Sequence, residues 1–187
     1  FETFAALDRA GDILRAMCSD QAYSAHLKAR GRRQTVVIGY SDSNKECGIA
    51  ASRYAVYQAQ AALVRAAADA GIELGIVHGR GGTASRGGGP IESLVQSSPP
   101  GAVRACLRAT EQGEVVNNNY GLHLLAMRTF EQAIHAVTLA TAGRRDAPVD
   151  VARHQEVMAA VARASRDRYR AFVVGEPGFA DYFRCVT

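Results

Sequence analysis

Thr35-Val36-Val37-Ile38-Gly39-Tyr40-Ser41-Asp42-Ser43-Asn44-Lys45 carries an apolar, β-branched run straight into a polar one. The first five residues have the make-up of a short strand buried on both faces, as in a parallel sheet. Ser41 to Lys45 then reads as a polar loop at the strand's C-terminal end. An alanine-rich segment over about 48–70 predicts a long helix, closed by Gly71. Ile72-Glu73-Leu74-Gly75-Ile76-Val77 reads as a second strand, and a glycine-rich loop fills 78–90. Strand, loop, long helix, strand and loop make a βαβ unit, whose parallel strands release their loops at one shared edge. That edge is where α/β barrels and open α/β sheets keep their active sites.

Working outward, Phe4, Leu7, Ile13, Leu14, Met17 and Leu27 recur at roughly helical spacing across 4–30. Downstream, a short helix is expected at 91–97. A third strand is expected to begin at Leu107 and to run into a polar stretch by Val116. From Gly121 the pattern is helical, over about 121–141, 150–173 and 178–185, with Gly143 and Pro148 punctuating the first gap. The expected fold class is α/β, a partial TIM-type (β/α) barrel segment with additional C-terminal helices. It forms one unit over 1–187, with a βα part over about 1–120 and a helical part over 121–187. A complete barrel takes about 250 residues, so three strands supply only part of one.

The composition, 48% hydrophobic and 21% charged over 187 residues, is that of an ordinary globular domain. It contains no uncharged apolar stretch of about 18 residues, so no membrane span is expected. Phe1-Glu2-Thr3-Phe4 has no basic region leading into an apolar run, so it is not read as a signal peptide. The absence of an initiator Met suggests a piece of a longer protein. Cys18, Cys47, Cys106 and Cys185 lie far apart without zinc or redox spacing, and are expected to be buried free thiols in a reducing cytoplasm. Lys28 and Lys45 are the lysines among 22 basic residues, and the rest are arginines. They do not cluster with aromatics or fall in a nucleic-acid motif, so no nucleic-acid partner is expected.

The segment His78-Gly79-Arg80-Gly81-Gly82-Thr83-Ala84-Ser85-Arg86-Gly87-Gly88-Gly89-Pro90 holds six glycines in thirteen residues. Glycine lets a backbone approach a ligand closely and turn N–H groups toward an anion. Arg80 and Arg86 add planar, bidentate donors suited to phosphate or carboxylate. Two arginines and a histidine directly after a buried strand favour an anion site over a flexible linker. The G-K-[ST] ending of a Walker loop is missing. Two readings of Asp42 stand side by side: a hard-cation ligand completed by substrate oxygens, or a cap on the helix starting near residue 48. Glu111 and Glu114, three apart beside Arg108 on an expected strand end, could line the same pocket, but a structural ion pair with Arg108 is the favoured reading. His26, His123, His135 and His154 show no ligand-like spacing.

Val37-Ile38-Gly39-Tyr40-Ser41-Asp42-Ser43-Asn44-Lys45 and the stretch from Val77 to Pro90 resemble the two signature motifs of phosphoenolpyruvate carboxylases. The resemblance runs from Phe1-Glu2-Thr3 through Gln96-Ser97-Ser98-Pro99-Pro100 and Leu107–Glu114 to Asp181-Tyr182-Phe183-Arg184, essentially the whole chain. It implies that Glu2 and Asp42 are carboxylate ligands of Mg²⁺ or Mn²⁺. It also implies that Arg80 contacts phosphoenolpyruvate, that Arg86 handles the phosphate or carboxyphosphate, and that Lys45 and His78 belong to the catalytic set. Gly81, Gly82, Gly87 and Gly88 would let the loop wrap the substrate.

The implied substrates are phosphoenolpyruvate and bicarbonate, and the implied products oxaloacetate and phosphate. The intact enzyme is expected to be a cytoplasmic homo-oligomer, without membrane or nucleic-acid partners. The family's main proton-handling histidine lies upstream of the matched stretch, and further arginines and a mobile loop lie downstream. The 187-residue chain alone is therefore expected to be inactive. Three arrangements answer to this: a piece of an active carboxylase, which leads; a short phospho-metabolite-binding module; or a subunit completed by a partner chain that supplies the missing barrel parts. Val77, Asn44, Glu46-Cys47, Ala84-Ser85 and Asn117-Asn118-Asn119 depart from the family pattern.

Overall fold

The computed structural model of the chain describes residues 1–143 and 151–186. Strands β1 (Arg33–Gly39), β2 (Glu73–Gly79) and β3 (Arg108–Ala109) form a parallel sheet in the order β1-β2-β3. β1 and β2 are in register from Arg33 opposite Glu73 to Gly39 opposite Gly79. Between them run helices α4 (Ser41–Cys47) and α5 (Ile49–Asp69), the crossover that the βαβ reading requires. Helix α6 (Ile91–Gln96) connects β2 to β3. The chain's first residues lie along the other edge of β1, where the Gly39 N–H donates to the Phe1 carbonyl at 2.9 Å.

The apolar stretch 4–30 breaks into α1 (Phe4–Asp8), α2 (Ala10–Ser19) and α3 (Gln21–Ala29). Thr3 and Asp20 cap the first and third, accepting from the N–H groups of Ala6 and Tyr23. The core gathers Leu7, Leu14, Ile38, Val56, Leu63 and Ile76 between the sheet and α1, α2 and α5. Alanines on α5 let its neighbours approach closely. At Gly11 a Cβ would lie 3.0 Å from that of Ala62, so α2 crosses α5 at backbone contact.

Three expectations are corrected here. Ser41 to Lys45 is helix α4 rather than a loop, because Ser43 is buried and shares a 2.7 Å hydrogen bond with Ser52 that packs the turn onto α5. The third strand stops at Ala109, and residues 113–120 form helix α7 (Gly113–Tyr120), with Val115 packed against Gly82. Cys47 is buried, but Cys106 and Cys185 are exposed.

Helices α8 (His123–Thr141), α9 (Val151–Val173) and α10 (Phe179–Val186) make up the C-terminal part. Pro148 and the expected helix start at residue 150 lie outside the described residues. α8 packs on α6, and α9 packs on α4 and α5 through Ala162, Cys47 and Ala51. Large apolar side chains on α8 and α10 face solvent, among them Leu124 and Tyr182. Among the described residues no helix is long and apolar enough to cross a membrane.

Candidate active site

The two polar motifs meet at the carboxyl end of β1 and β2. Tyr40, directly after β1, and His78, near the end of β2, are both buried and share a 2.8 Å hydrogen bond between the hydroxyl and Nδ1. Burial, helped by the nearby Arg80 charge, lowers the His78 pKa to about 4, so the ring is neutral at pH 7. Burial raises the Tyr40 pKa to about 12, against the pull of Arg53 and Arg80.

Arg80 is only 5% exposed. Its main-chain N–H donates to Thr110 Oγ1 at 3.0 Å, and its Nη2 donates to the Gly89 carbonyl. Its Nη1 is buried without a hydrogen-bond partner among the described residues. Burial lowers the pKa of this guanidinium, and Glu111 and Tyr40 oppose that shift. A charged donor held out of water without an acceptor is costly, so a site that supplies one favours an anion.

Arg86 ends a 3₁₀ turn over Ala84–Arg86 and is exposed. With the Gln112 amide oriented to suit both neighbours, Arg86 Nη2 donates to it at 3.2 Å and it donates to Glu114 Oε1 at 3.0 Å. The loop closes on itself. The Gly81 N–H donates to the Arg86 carbonyl at 2.6 Å, that of Gly88 to Thr83 at 2.8 Å, and that of Gly87 to Ala84 at 3.2 Å. These three N–H groups are therefore spent inside the loop, and its glycines serve close packing. A Cβ on Gly87, whose φ is +89°, would meet the Tyr40 ring at 2.7 Å.

Glu2 lies at the same end of the sheet. Its side chain fills the space above Gly39, where a Cβ would meet Glu2 Cγ at 2.8 Å. Its carbonyl accepts from the Ser43 N–H at 3.0 Å, next to Asp42 in the first turn of α4. Glu46 Oε2 takes the Phe4 N–H at 2.7 Å, which ties the segment carrying Glu2 to the helix carrying Asp42. Lys45 Nζ lies 3.3 Å from Asp42, an exposed pair worth little to stability. Among the described residues no group of three or more His, Cys, Asp or Glu forms a ready metal cage. Two hard carboxylates with coordination positions left over suit Mg²⁺, which keeps several waters or substrate oxygens.

A family model described as phosphoenolpyruvate carboxylase matches residues 1–187. The chain belongs to the phosphoenolpyruvate carboxylase family. It is 44% identical over 187 residues to a phosphoenolpyruvate carboxylase of Xanthomonas oryzae pv. oryzae, covering 100% of this chain and 21% of the relative. It is 43% identical to those of Roseiflexus castenholzii and Mycobacterium avium, covering 100% of this chain and 20% of each relative. The chain thus spans about a fifth of the length of the curated relatives it matches.

Within this carboxylase-family segment, the residues singled out from sequence fall into two groups. Arg80, Arg86 and the glycines share the loop after β2, with His78 at the end of that strand, while Glu2, Asp42 and Lys45 sit beside the end of β1. Ser85 is exposed and its hydroxyl lies 3.1 Å from that of Thr83, so it stays within the loop. Asn118 and Asn119 line a cavity of about 410 Å³ beside Gly82 and Gly89. A larger cavity of about 970 Å³ lies between α6 and α8 and touches none of the loop residues.

Glu111 turns to Tyr120 and Glu114 to Gln112 instead of Arg108, because β3 ends at Ala109, leaving Glu111 in the loop that follows and Glu114 in the first turn of α7. Tyr40, Arg53 and Thr110 went unnoticed in the sequence as site residues. Tyr40 lies in the first motif and Thr110 in the Leu107–Glu114 stretch of the resemblance, though neither had a role read for it, and Arg53 has no local signal.

Proposed function

We propose that the chain supplies the phosphate-handling part of a phosphoenolpyruvate carboxylase active site. The complete gene product would join phosphoenolpyruvate and bicarbonate to give oxaloacetate and phosphate. The observation that carries this reading is the buried, unpartnered Nη1 of Arg80 in a self-closed loop that also carries Arg86. In the proposed reaction a bicarbonate oxygen attacks phosphorus and the bond from phosphorus to the enol oxygen breaks. Carboxyphosphate and the enolate of pyruvate result. A base removes the carboxyl proton, CO₂ and phosphate separate, and the enolate carbon bonds to CO₂.

Arg80 would bind phosphoenolpyruvate through Nη1, and Arg86 would donate to the phosphoryl oxygens in transit, where preorganised charge contributes most. Exchanging Gln112 for substrate costs Arg86 little, since the side chain is already exposed. Lys45 would add positive charge at the rim. His78, neutral and tied to Tyr40, would hold the floor of the loop in place. Gly81, Gly82, Gly87 and Gly88 would let the loop fold tightly on itself and on Tyr40 and Val115, so that Arg80 and Arg86 are held around the substrate. Glu2 and Asp42 would hold Mg²⁺ or Mn²⁺, which when bound supplies charge to offset that on phosphate and enolate oxygens. The three strands would form part of a (β/α)₈ barrel completed by sequence outside these residues or by a partner chain.

The test is oxaloacetate formation by the complete gene product, followed through malate dehydrogenase. We expect turnover that requires bicarbonate and a divalent cation. Asp42→Asn should raise the metal concentration needed by about ten-fold or more, while the melting temperature changes little. A variant that titrates metal like the wild type would leave Asp42 as a first-turn helix residue only.

A further inference from the structure

Arg53 belongs to neither motif, yet it reaches the glycine-rich loop from α5. Its Nη2 donates to the Ala84 carbonyl at 3.0 Å. Its guanidinium carbon lies 5.2 Å from the centroid of the Tyr40 ring, within range of a cation–π contact. That ring is also the surface on which Gly87 rests, and its hydroxyl is held by His78. Ala84 opens the 3₁₀ turn that Arg86 closes, and its carbonyl also accepts the Gly87 N–H at 3.2 Å. The Thr83 carbonyl accepts from both Arg86 and Gly88, at 3.0 and 2.8 Å. The loop is thus fastened at two points by arginines, Arg80 on Gly89 and Arg53 on Ala84, with Tyr40 beneath it.

We propose that Arg53 is a positioning residue, a latch that holds the Ala84–Arg86 turn closed and so aims Arg86 before substrate arrives. The latch follows from contacts within the loop itself, whereas its effect on phosphoenolpyruvate rests on the anion reading above. Its chemistry differs from that of a phosphate-binding arginine. One N–H to a carbonyl and one positive charge over a ring do not need a planar fork, so lysine can stand in for Arg53. At Arg80 or Arg86, lysine loses the bidentate geometry. The contrast between these lysine variants therefore separates positioning from binding.

Hydrogen exchange of the complete gene product without ligand reads the latch directly. In Arg53→Met, the N–H groups of Arg86, Gly87 and Gly88 should exchange about ten-fold faster, the scale of losing one charge-assisted hydrogen bond from a local opening. Amides in α2 and β1 should keep their rates, and Arg53→Lys should return the loop to near wild type. Calorimetry with phosphoenolpyruvate should show weaker binding for Arg53→Met and recovery for Arg53→Lys. Unchanged loop exchange in Arg53→Met overturns the proposal. So does a rise that spreads to α2 and β1, which marks a general packing role. Equal loss of affinity in both Arg53 variants with quiet loop exchange would make Arg53 a direct ligand contact. If Arg53→Met frees the loop while Arg80→Lys and Arg86→Lys bind phosphoenolpyruvate normally, the latch stands and the anion reading falls.

Discussion

At the carboxyl end of β1 and β2 the chain packs to backbone contact, whereas along α8 and α10 it leaves large apolar side chains in solvent. In the first region a Cβ on Gly88 would lie 2.2 Å from the Gly82 carbonyl, and His78 and Arg80 are buried with polar partners around them. In the second, Leu124 is 80% exposed and Ile134 is 67% exposed. Buried polar groups and glycine-only contacts are expensive to keep for stability alone. Their concentration at one sheet end sets this region apart from the late helices. Among the described residues Leu124 and Ile134 belong to none of the apolar clusters that make up the core, although aromatic side chains on these helices do make contacts, Phe130 with Tyr120 and Phe179 with Phe183.

The sharpest way to break this contrast is to add a methyl group to the tight region. Gly87→Ala places a Cβ against the Tyr40 ring at a positive φ. Backbone strain and overpacking together should cost about 2–4 kcal/mol. Denaturant unfolding of the complete gene product should show that loss, and phosphoenolpyruvate binding should weaken with it. A variant with wild-type stability would mean that the loop is looser than its contacts require.

A pH series sharpens the same point through His78. Its pKa is depressed to about 4 in the folded chain, below its ordinary value of about 6.5 in the unfolded one. The unfolded state therefore takes up the proton first as pH falls. The stability this group contributes is complete above about 6.5 and is lost as pH drops toward 4, by up to about 3 kcal/mol. Comparing His78→Asn with wild type at pH 7 and pH 4.5 isolates that share, and the variant should show the shallower fall. Tyr40 acts in the opposite direction. Its raised pKa, about 12, makes its contribution complete below about 10 and lost as pH climbs further.

At the loose end, Leu124→Gln should change stability by no more than about 0.5 kcal/mol, as surface substitutions usually do. A larger loss would show that α8 buries this face in the complete protein.

The order of the βαβ unit was legible because its signals are local: apolar, β-branched strands, an alanine-rich helix between them and glycine after each. The motif residues at the strand ends were legible for the same reason. Helix α4 was not, because Ser41, Asp42, Ser43 and Asn44 have weak helix propensity and only the buried Ser43–Ser52 contact outweighs it. Helix α7 was hidden similarly by two β-branched valines and three asparagines, with Val115 anchored on Gly82. Thr110 and Arg53 reach the site from 30 and 31 residues away along the chain, so no spacing rule finds them. The Asp20 cap, by contrast, was there to be read as a break in the 4–30 stretch.

Arg80 and Arg86 either bind a phosphate-bearing anion, as proposed, or only brace the loop. Calorimetry of phosphoenolpyruvate binding to the complete gene product, beside thermal melts, decides this for Arg80→Lys and Arg86→Lys. Each charge-assisted bond is worth about 1.5–3 kcal/mol, so either variant should bind about ten-fold more weakly or worse. Wild-type affinity with a lowered melting temperature would contradict the account and leave both arginines as structural braces.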